Sequence, residues 1–401
     1  MKGNARPTSR SPRVTLYDAR DSKKVVRLGG GAAVSGLTRA AFSPKGDRLA
    51  VASNSGSVFV CEPTGKVLRT IPTPPAPGNV GGFVPYAIHD IQWHPDGKLL
   101  AVTTGAGTVT VFDTETGKAA ATTSVAGHRP GGSAIFSPAN PDHILIAHPD
   151  AAALWQWKGE KEPERKSDGL GKLIPSPDGK RLLSVTPHDR AGIPAALVSL
   201  DLKDRDTAGT KDFVALPQHP GPSLAWHPDG KHLVVTRLSE ARSVQIRSPD
   251  GKVVEEIKPD GIDITWLEWV EPVAKRNALV GRVGADVYLL DLGTKKLTPV
   301  GKVAGELVVS PDGKHLIAME GSALTYWNLD TKAVDQKVVL LPDGNFVTLS
   351  AAGEVLEWSA KAVHFYCYLA EDKTGKLLLR TPGLMAPSLP KPAKEVLDGK
   401  K

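Results

Sequence analysis

Residues 87–118 read AIHDIQWHPDGKLLAVTTGAGTVTVFDTETGK. Three short apolar stretches, IHDIQW, LLAVT and TVTVF, are cut by turns. In His94-Pro95-Asp96-Gly97 the proline presets φ for a type I turn at its second position, and the glycine accepts a positive φ at its fourth. Thr104-Gly105-Ala106-Gly107 links the second stretch tightly to the third, and Asp113-Thr114-Glu115-Thr116-Gly117 closes it. Short apolar runs joined by turns this tight predict antiparallel strands.

The rest of the chain repeats this unit. AAFSPKGDRLAVAS (40–53), AIFSPANPDHILIAH (134–148), LIPSPDGKRLLSVT (173–186), LAWHPDGKHLVVTR (224–237), LVVSPDGKHLIAME (307–320) and VLLPDGNFVTLS (339–350) carry the same turn, and ITWLEWVEPVAKRNALVGRV (264–283) is a degenerate copy. The turn prolines Pro44, Pro95, Pro138, Pro177, Pro228, Pro311 and Pro342 step by 51, 43, 39, 51, 83 and 31 residues, the 83 spanning the degenerate copy; a period of roughly 40–45 marks propeller blades of four short strands. Inner strands such as LLAV and LVVT are apolar at consecutive positions. A strand reads that way when both faces of its sheet are covered, as when each blade packs between two others. No amphipathic helical stretch interrupts the series, which argues against alternating strands and helices.

The unit resembles the WD-repeat propeller family and its variant with a Ser-Pro-Asp-Gly turn. The resemblance rests on that turn, on the small residues of the second turn, on third strands ending in Asp (Tyr17-Asp18, Phe112-Asp113, Leu290-Asp291) and on Gly127-His128. It covers roughly residues 13–360, with no Trp-Asp pair in the sequence. It implies an all-β propeller that serves as a platform for other proteins. The expected organisation is a basic disordered arm (1–12), the propeller (13–360), a C-terminal hairpin extension (361–386) with aromatic Phe365, Tyr366 and Tyr368, and a disordered Pro/Lys-rich tail (387–401). Eight blades are favoured over seven, the eighth being shared between 339–360 and N-terminal strands in 13–28 that close the ring.

Composition bounds the function. The 401 residues are 40% hydrophobic, with 40 Gly and 33 Pro, so a large core and many turns are expected. The net charge of +7 is spread along the chain apart from Lys2, Arg6, Arg10 and Arg13, which makes nucleic acid an unexpected partner. Cys61 and Cys367 sit in apolar runs and read as buried thiols. No apolar run of 18 residues is present, and a monomeric cytoplasmic protein is expected.

Neither a nucleophile elbow, nor HExxH, nor CxxC, nor a phosphate loop occurs in the sequence. His94 and His227 stand where Ser43, Ser137, Ser176 and Ser310 stand in other copies, so they read as turn residues; no metal or cofactor is expected. The chain is expected to be a non-catalytic interaction scaffold. The alternative is a lactonase- or peptidase-like propeller hydrolase with its site at the central channel; such a site needs acids or histidines converging from several inner strands, whereas the first-strand residues Thr38, Asp90, Ser133 and Asp263 are mixed in type. Partner contacts are expected in loops that depart from the repeat and share one rim: Phe83 and Tyr86 in or beside 72–85, His128 and Arg129, His188 and Arg190, and Arg237 with Arg242.

Overall fold

A computed structural model of the chain describes residues 13–17, 25–29, 36–73, 87–105, 107–124, 132–137, 140–148, 151–159, 162–167, 172–176, 182–185, 196–198, 214–215, 224–237, 243–248, 252–258, 268–273, 276–303, 305–362, 368–371 and 377–380. Arg13–Tyr17 (β1) pairs antiparallel with Val25–Gly29 (β2). Seven sheets then follow among the described residues, each of consecutive antiparallel strands. The first holds Leu37–Phe42 (β3), Leu49–Ser53 (β4), Ser57–Cys61 (β5) and Val67–Pro72 (β6). The second holds Ile88–Trp93 (β7), Leu99–Thr104 (β8), Thr108–Asp113 (β9) and Ala119–Ser124 (β10). The third holds Ser133–Phe136 (β11), His143–His148 (β12), Ala151–Gln156 (β13) and Glu164–Ser167 (β14).

The fourth sheet holds Lys172–Pro175 (β15), Leu182–Val185 (β16), Ala196–Val198 (β17) and Val214–Ala215 (β18). The fifth holds Leu224–Trp226 (β19), Leu233–Arg237 (β20), Ser243–Arg247 (β21) and Val253–Ile257 (β22). The sixth holds Glu268–Val273 (β23), Ala278–Val283 (β24), Asp286–Asp291 (β25) and Lys296–Lys302 (β26). The seventh holds Glu306–Val309 (β27), His315–Glu320 (β28), Ala323–Asn328 (β29) and Ala333–Leu340 (β30), extended by Phe346–Ser350 (β31) and Val355–Trp358 (β32). Tyr368–Glu371 (β33) and Leu377–Arg380 (β34) form a further antiparallel pair. First strands meet across the sheets: β3 lies against β7, β7 against β11, β11 against β15, β19 against β23, β23 against β27, and β27 against β3.

The sheet expected from 339–360 together with 13–28 is not formed. β31 pairs with β30, while β1 and β2 pair with each other. The reason lies in Leu341-Pro342-Asp343-Gly344. In the other copies this turn joins the first two strands of a sheet, but here it follows β30, a fourth strand already hydrogen-bonded to β29. The strands after it therefore add to the outer edge of the seventh sheet.

The repeated turn is a packing device as well as a reversal. Gly46, Gly97, Gly230 and Gly313 have φ of 72°, 74°, 68° and 71°. Each donates its N–H to the carbonyl three residues back, on Ser43, His94, His227 or Ser310, at 2.8–2.9 Å. Ser43 Oγ and Ser310 Oγ accept the N–H groups of Arg48 and His315. Where histidine replaces serine, His94 Nδ1 lies 2.9 Å from Asp96 Oδ1 and His227 Nδ1 lies 3.1 Å from Asp229 Oδ1. Either side chain ties the turn to itself. A Cβ on Gly46 would come within 3.0 Å of Pro311 in the adjacent sheet's turn, and one on Gly97 would meet Pro44 at 4.0 Å. The proline of one turn thus stacks beside the glycine of the next.

The core lies between sheets, and strand alternation divides it. In β4, Leu49 and Val51 face the seventh sheet, sharing a cluster with Ile317, Tyr326 and Val338. Ala50 and Ala52 face the second sheet and pack near Ile88, Trp93 and Leu100. In β28, Ile317 and Met319 face the first sheet while Leu316 and Ala318 face the sixth. Every position is apolar because each face meets a neighbour. Burying one such Leu or Ile contributes about 1.5–3 kcal/mol.

Polar pins fix the sheets' relative height. Trp93 Nε1–H donates to Ala41 O at 2.9 Å, and Trp226 Nε1–H donates to Ile174 O at 2.9 Å, each reaching the first strand of the preceding sheet. Thr38 Oγ1–H donates to Ile88 O at 3.1 Å. Between the seventh and first sheets, Leu37 N–H donates to Gly321 O at 2.7 Å, and Arg39 pairs with Glu306.

Candidate partner-binding surface

Phe83, Tyr86, His128, Arg129, His188, Arg190 and Arg242 lie outside the described residues. Arg237 ends β20, in register with Ser243 of β21. The structure therefore describes other parts of the surface than the loops singled out in the sequence.

A cleft of about 530 Å³ opens between the seventh and first sheets, at the end where the Ser-Pro turns lie. Its apolar walls are Phe42, Pro63, Pro311 and Ile317, and its charged groups include Lys45, Asp312 and Asp335. Asp335 accepts from His315 Nε2 at 2.9 Å and from Asn328 Nδ2 at 3.1 Å. Tyr326, also in the lining, is 4% exposed, and its hydroxyl has no hydrogen-bond partner among the described residues. Burial pushes that phenol well above its usual range, with the neighbouring Cys61 adding to the shift, so the hydroxyl stays protonated and able to donate. The repeat does carry a signal for this site. Tyr326 puts a phenol at the strand position that Val111 and Leu289 fill in β9 and β25.

Among first-strand residues, Thr38 spends its hydroxyl on the neighbouring sheet, and Asp90 and Ser133 are buried. Asp263 lies outside the described residues. The charged first-strand pair Arg39–Glu306 joins a base to an acid, and burial, with Arg39 beside it, holds His89 below the usual imidazole range. Among the described residues, the group of three close metal-ligating side chains is on the β19–β20 turn, not on first strands: His227, Asp229 and His232. His232 Nδ1 lies 2.6 Å from Asp229 Oδ2.

The ends of third strands have a structural role. Asp113 Oδ1 accepts the N–H of Thr116 at 2.7 Å and that of Glu115 at 3.0 Å, and Asp291 Oδ1 accepts the N–H of Thr294 at 2.7 Å. These bonds, the Thr116 and Thr294 amides first, hold both carboxyls below the usual range. Asn328 makes the same turn, accepting from Asp330 and Thr331.

Residues 40–136 match the model of the anaphase-promoting complex subunit 4 WD40 domain. The chain has the fold of a β-propeller. The fold is shared with the crystal structure of the Cps50 (Swd1) β-propeller domain of Myceliophteria thermophila, at 15% identity and a TM-score of 0.50, over 76% of this chain and 95% of that one. No curated protein matches the propeller in sequence.

Proposed function

We propose that this propeller is a non-catalytic platform that binds other proteins or peptides through the rim carrying its irregular loops. The observation that carries the reading is how the repeat's polar side chains are spent. Ser43, Ser310, His94, Thr38, Trp93 and Asp113 are all engaged in turns or pins between sheets. What is left to recognise a partner is sequence that departs from the repeat, and Arg and aromatic residues in such loops make interface anchors. We read the ring as seven-bladed and closed where β27 meets β3, supported by the shared core and by the Leu37–Gly321 bond.

The test is a combined alanine substitution of Phe83, Tyr86, Arg129, Arg190, Arg237 and Arg242, with partner capture and thermal melting measured together. Losing one buried anchor commonly costs about 2 kcal/mol, roughly 30-fold in affinity. Capture is expected to vanish at an unchanged melting temperature. Capture that persists refutes the loop rim. One observation favours a second location on the opposite rim: the cleft floored by the unpartnered Tyr326 hydroxyl. Capture that survives the loop substitutions and is lost in Gln336→Arg, which fills that cleft, moves the interface there.

A further inference from the structure

The geometry points to a binding site for a divalent transition-metal ion of the zinc class on the β19–β20 turn, held by His227, Asp229 and His232. The three residues come from one stretch, His227-Pro228-Asp229-Gly230-Lys231-His232. Their ligand atoms all lie within 4.8 Å of one another. Zinc bonds of about 2.0–2.2 Å to nitrogen and oxygen place tetrahedral ligands roughly 3.3–3.5 Å apart, so the set has to draw in by no more than about 1.5 Å. Two imidazoles and one carboxylate suit zinc, and also copper and cobalt, better than calcium or magnesium.

The backbone that carries them is already fixed. His227 N–H donates to His232 O, and Gly230 N–H donates to His227 O, both at 2.9 Å. The amides of Lys231 and His232 donate to Asp229 Oδ1 at 2.8 and 3.0 Å, orienting the carboxylate before any ion arrives. Such outer bonds to a ligand strengthen a metal site. The imidazole planes stand at 84° with centroids 6.0 Å apart. The side chains of His227, Asp229 and His232 are 14%, 35% and 33% exposed, leaving a face open for water as a fourth ligand.

The sister turns show that the fold does not require this set. His94-Pro95-Asp96 is followed by Leu99 where His232 stands, and Ser310-Pro311-Asp312 has His315 but serine in place of His227. Each makes the same turn with one imidazole. The second histidine in the fifth sheet is therefore surplus to the turn.

The experiment is a titration of the metal-free full chain with Co²⁺, read by its d–d absorption, and with Zn²⁺ against a chromogenic chelator. One ion per chain is expected. His232→Asn should bind at least about tenfold more weakly, while His94→Asn, in the sister turn, should bind as the unaltered chain does. His227→Ser supplies a second loss variant, since serine already serves at Ser43 and Ser310; far-UV circular dichroism checks the fold of each. No bound ion in the unaltered chain, or unchanged stoichiometry and affinity in folded His232→Asn or His227→Ser, overturns the proposal.

Discussion

The tryptophan pins make a comparison in which one substitution has two different outcomes. Trp93 and Trp226 each donate an indole N–H at 2.9 Å to a carbonyl of the preceding sheet and are 7% and 1% exposed. Trp327 has a buried indole nitrogen with no partner among the described residues. Changing any of the three to Phe removes the fused ring and its packing. In Trp93→Phe and Trp226→Phe it also strips a hydrogen bond that contributes about 1 kcal/mol net, and leaves a part-buried carbonyl without that donor. In Trp327→Phe it removes a donor whose burial without a partner costs about 1–3 kcal/mol. The polar contributions have opposite sign, so Trp93→Phe should destabilise by roughly 2 kcal/mol more than Trp327→Phe. Equilibrium unfolding in urea reads the difference, with matching m-values confirming that the unfolding transition is the same. If Trp327→Phe costs as much as Trp93→Phe, the inter-sheet hydrogen bond has no energetic role and the pins are packing alone.

Two further outcomes follow from burial and charge. Ile317→Ala, at a fully buried position between the seventh and first sheets, should cost about 2–5 kcal/mol, whereas Leu356→Ala, half exposed on β32, should stay within about 0.5 kcal/mol; equal midpoints in urea would contradict the core assignment. Asp113 and Asp291 have carboxyls held below their usual range by turn amides, so their contribution is present above the unfolded value near 4 and fades as pH falls through the lower folded value. The double change Asp113→Asn with Asp291→Asn should leave stability at pH 7 nearly unchanged, because Asn328 already makes the same bonds, and should flatten the loss of stability below about pH 4; an unaltered acid profile would show that these turns do not sense pH.

The repeat itself was legible in the sequence, because its signals are local. A proline and a glycine at set positions fix a turn through their own φ preferences, and apolar runs without alternation announce a strand covered on both sides. The third-strand Asp was visible too, although its task as a turn acceptor was not. What the chain could not disclose locally is where each unit belongs. The sequence Leu341-Pro342-Asp343-Gly344 reads like the start of another blade, yet it follows a strand already paired on one edge, so the next two strands extend the seventh sheet. Lys295 and Lys332 adopt φ of 61° and 58° at the turn position where Gly117 has 73°, a strain that no residue preference predicts and that the flanking strand pairs impose. The cleft under Tyr326 likewise exists because the first and seventh sheets, distant in the chain, are brought face to face. Backbone preference acts over a few residues, and propeller order follows from it; edge pairing and seams depend on which surfaces remain uncovered once the earlier strands are in place, which tertiary packing alone decides.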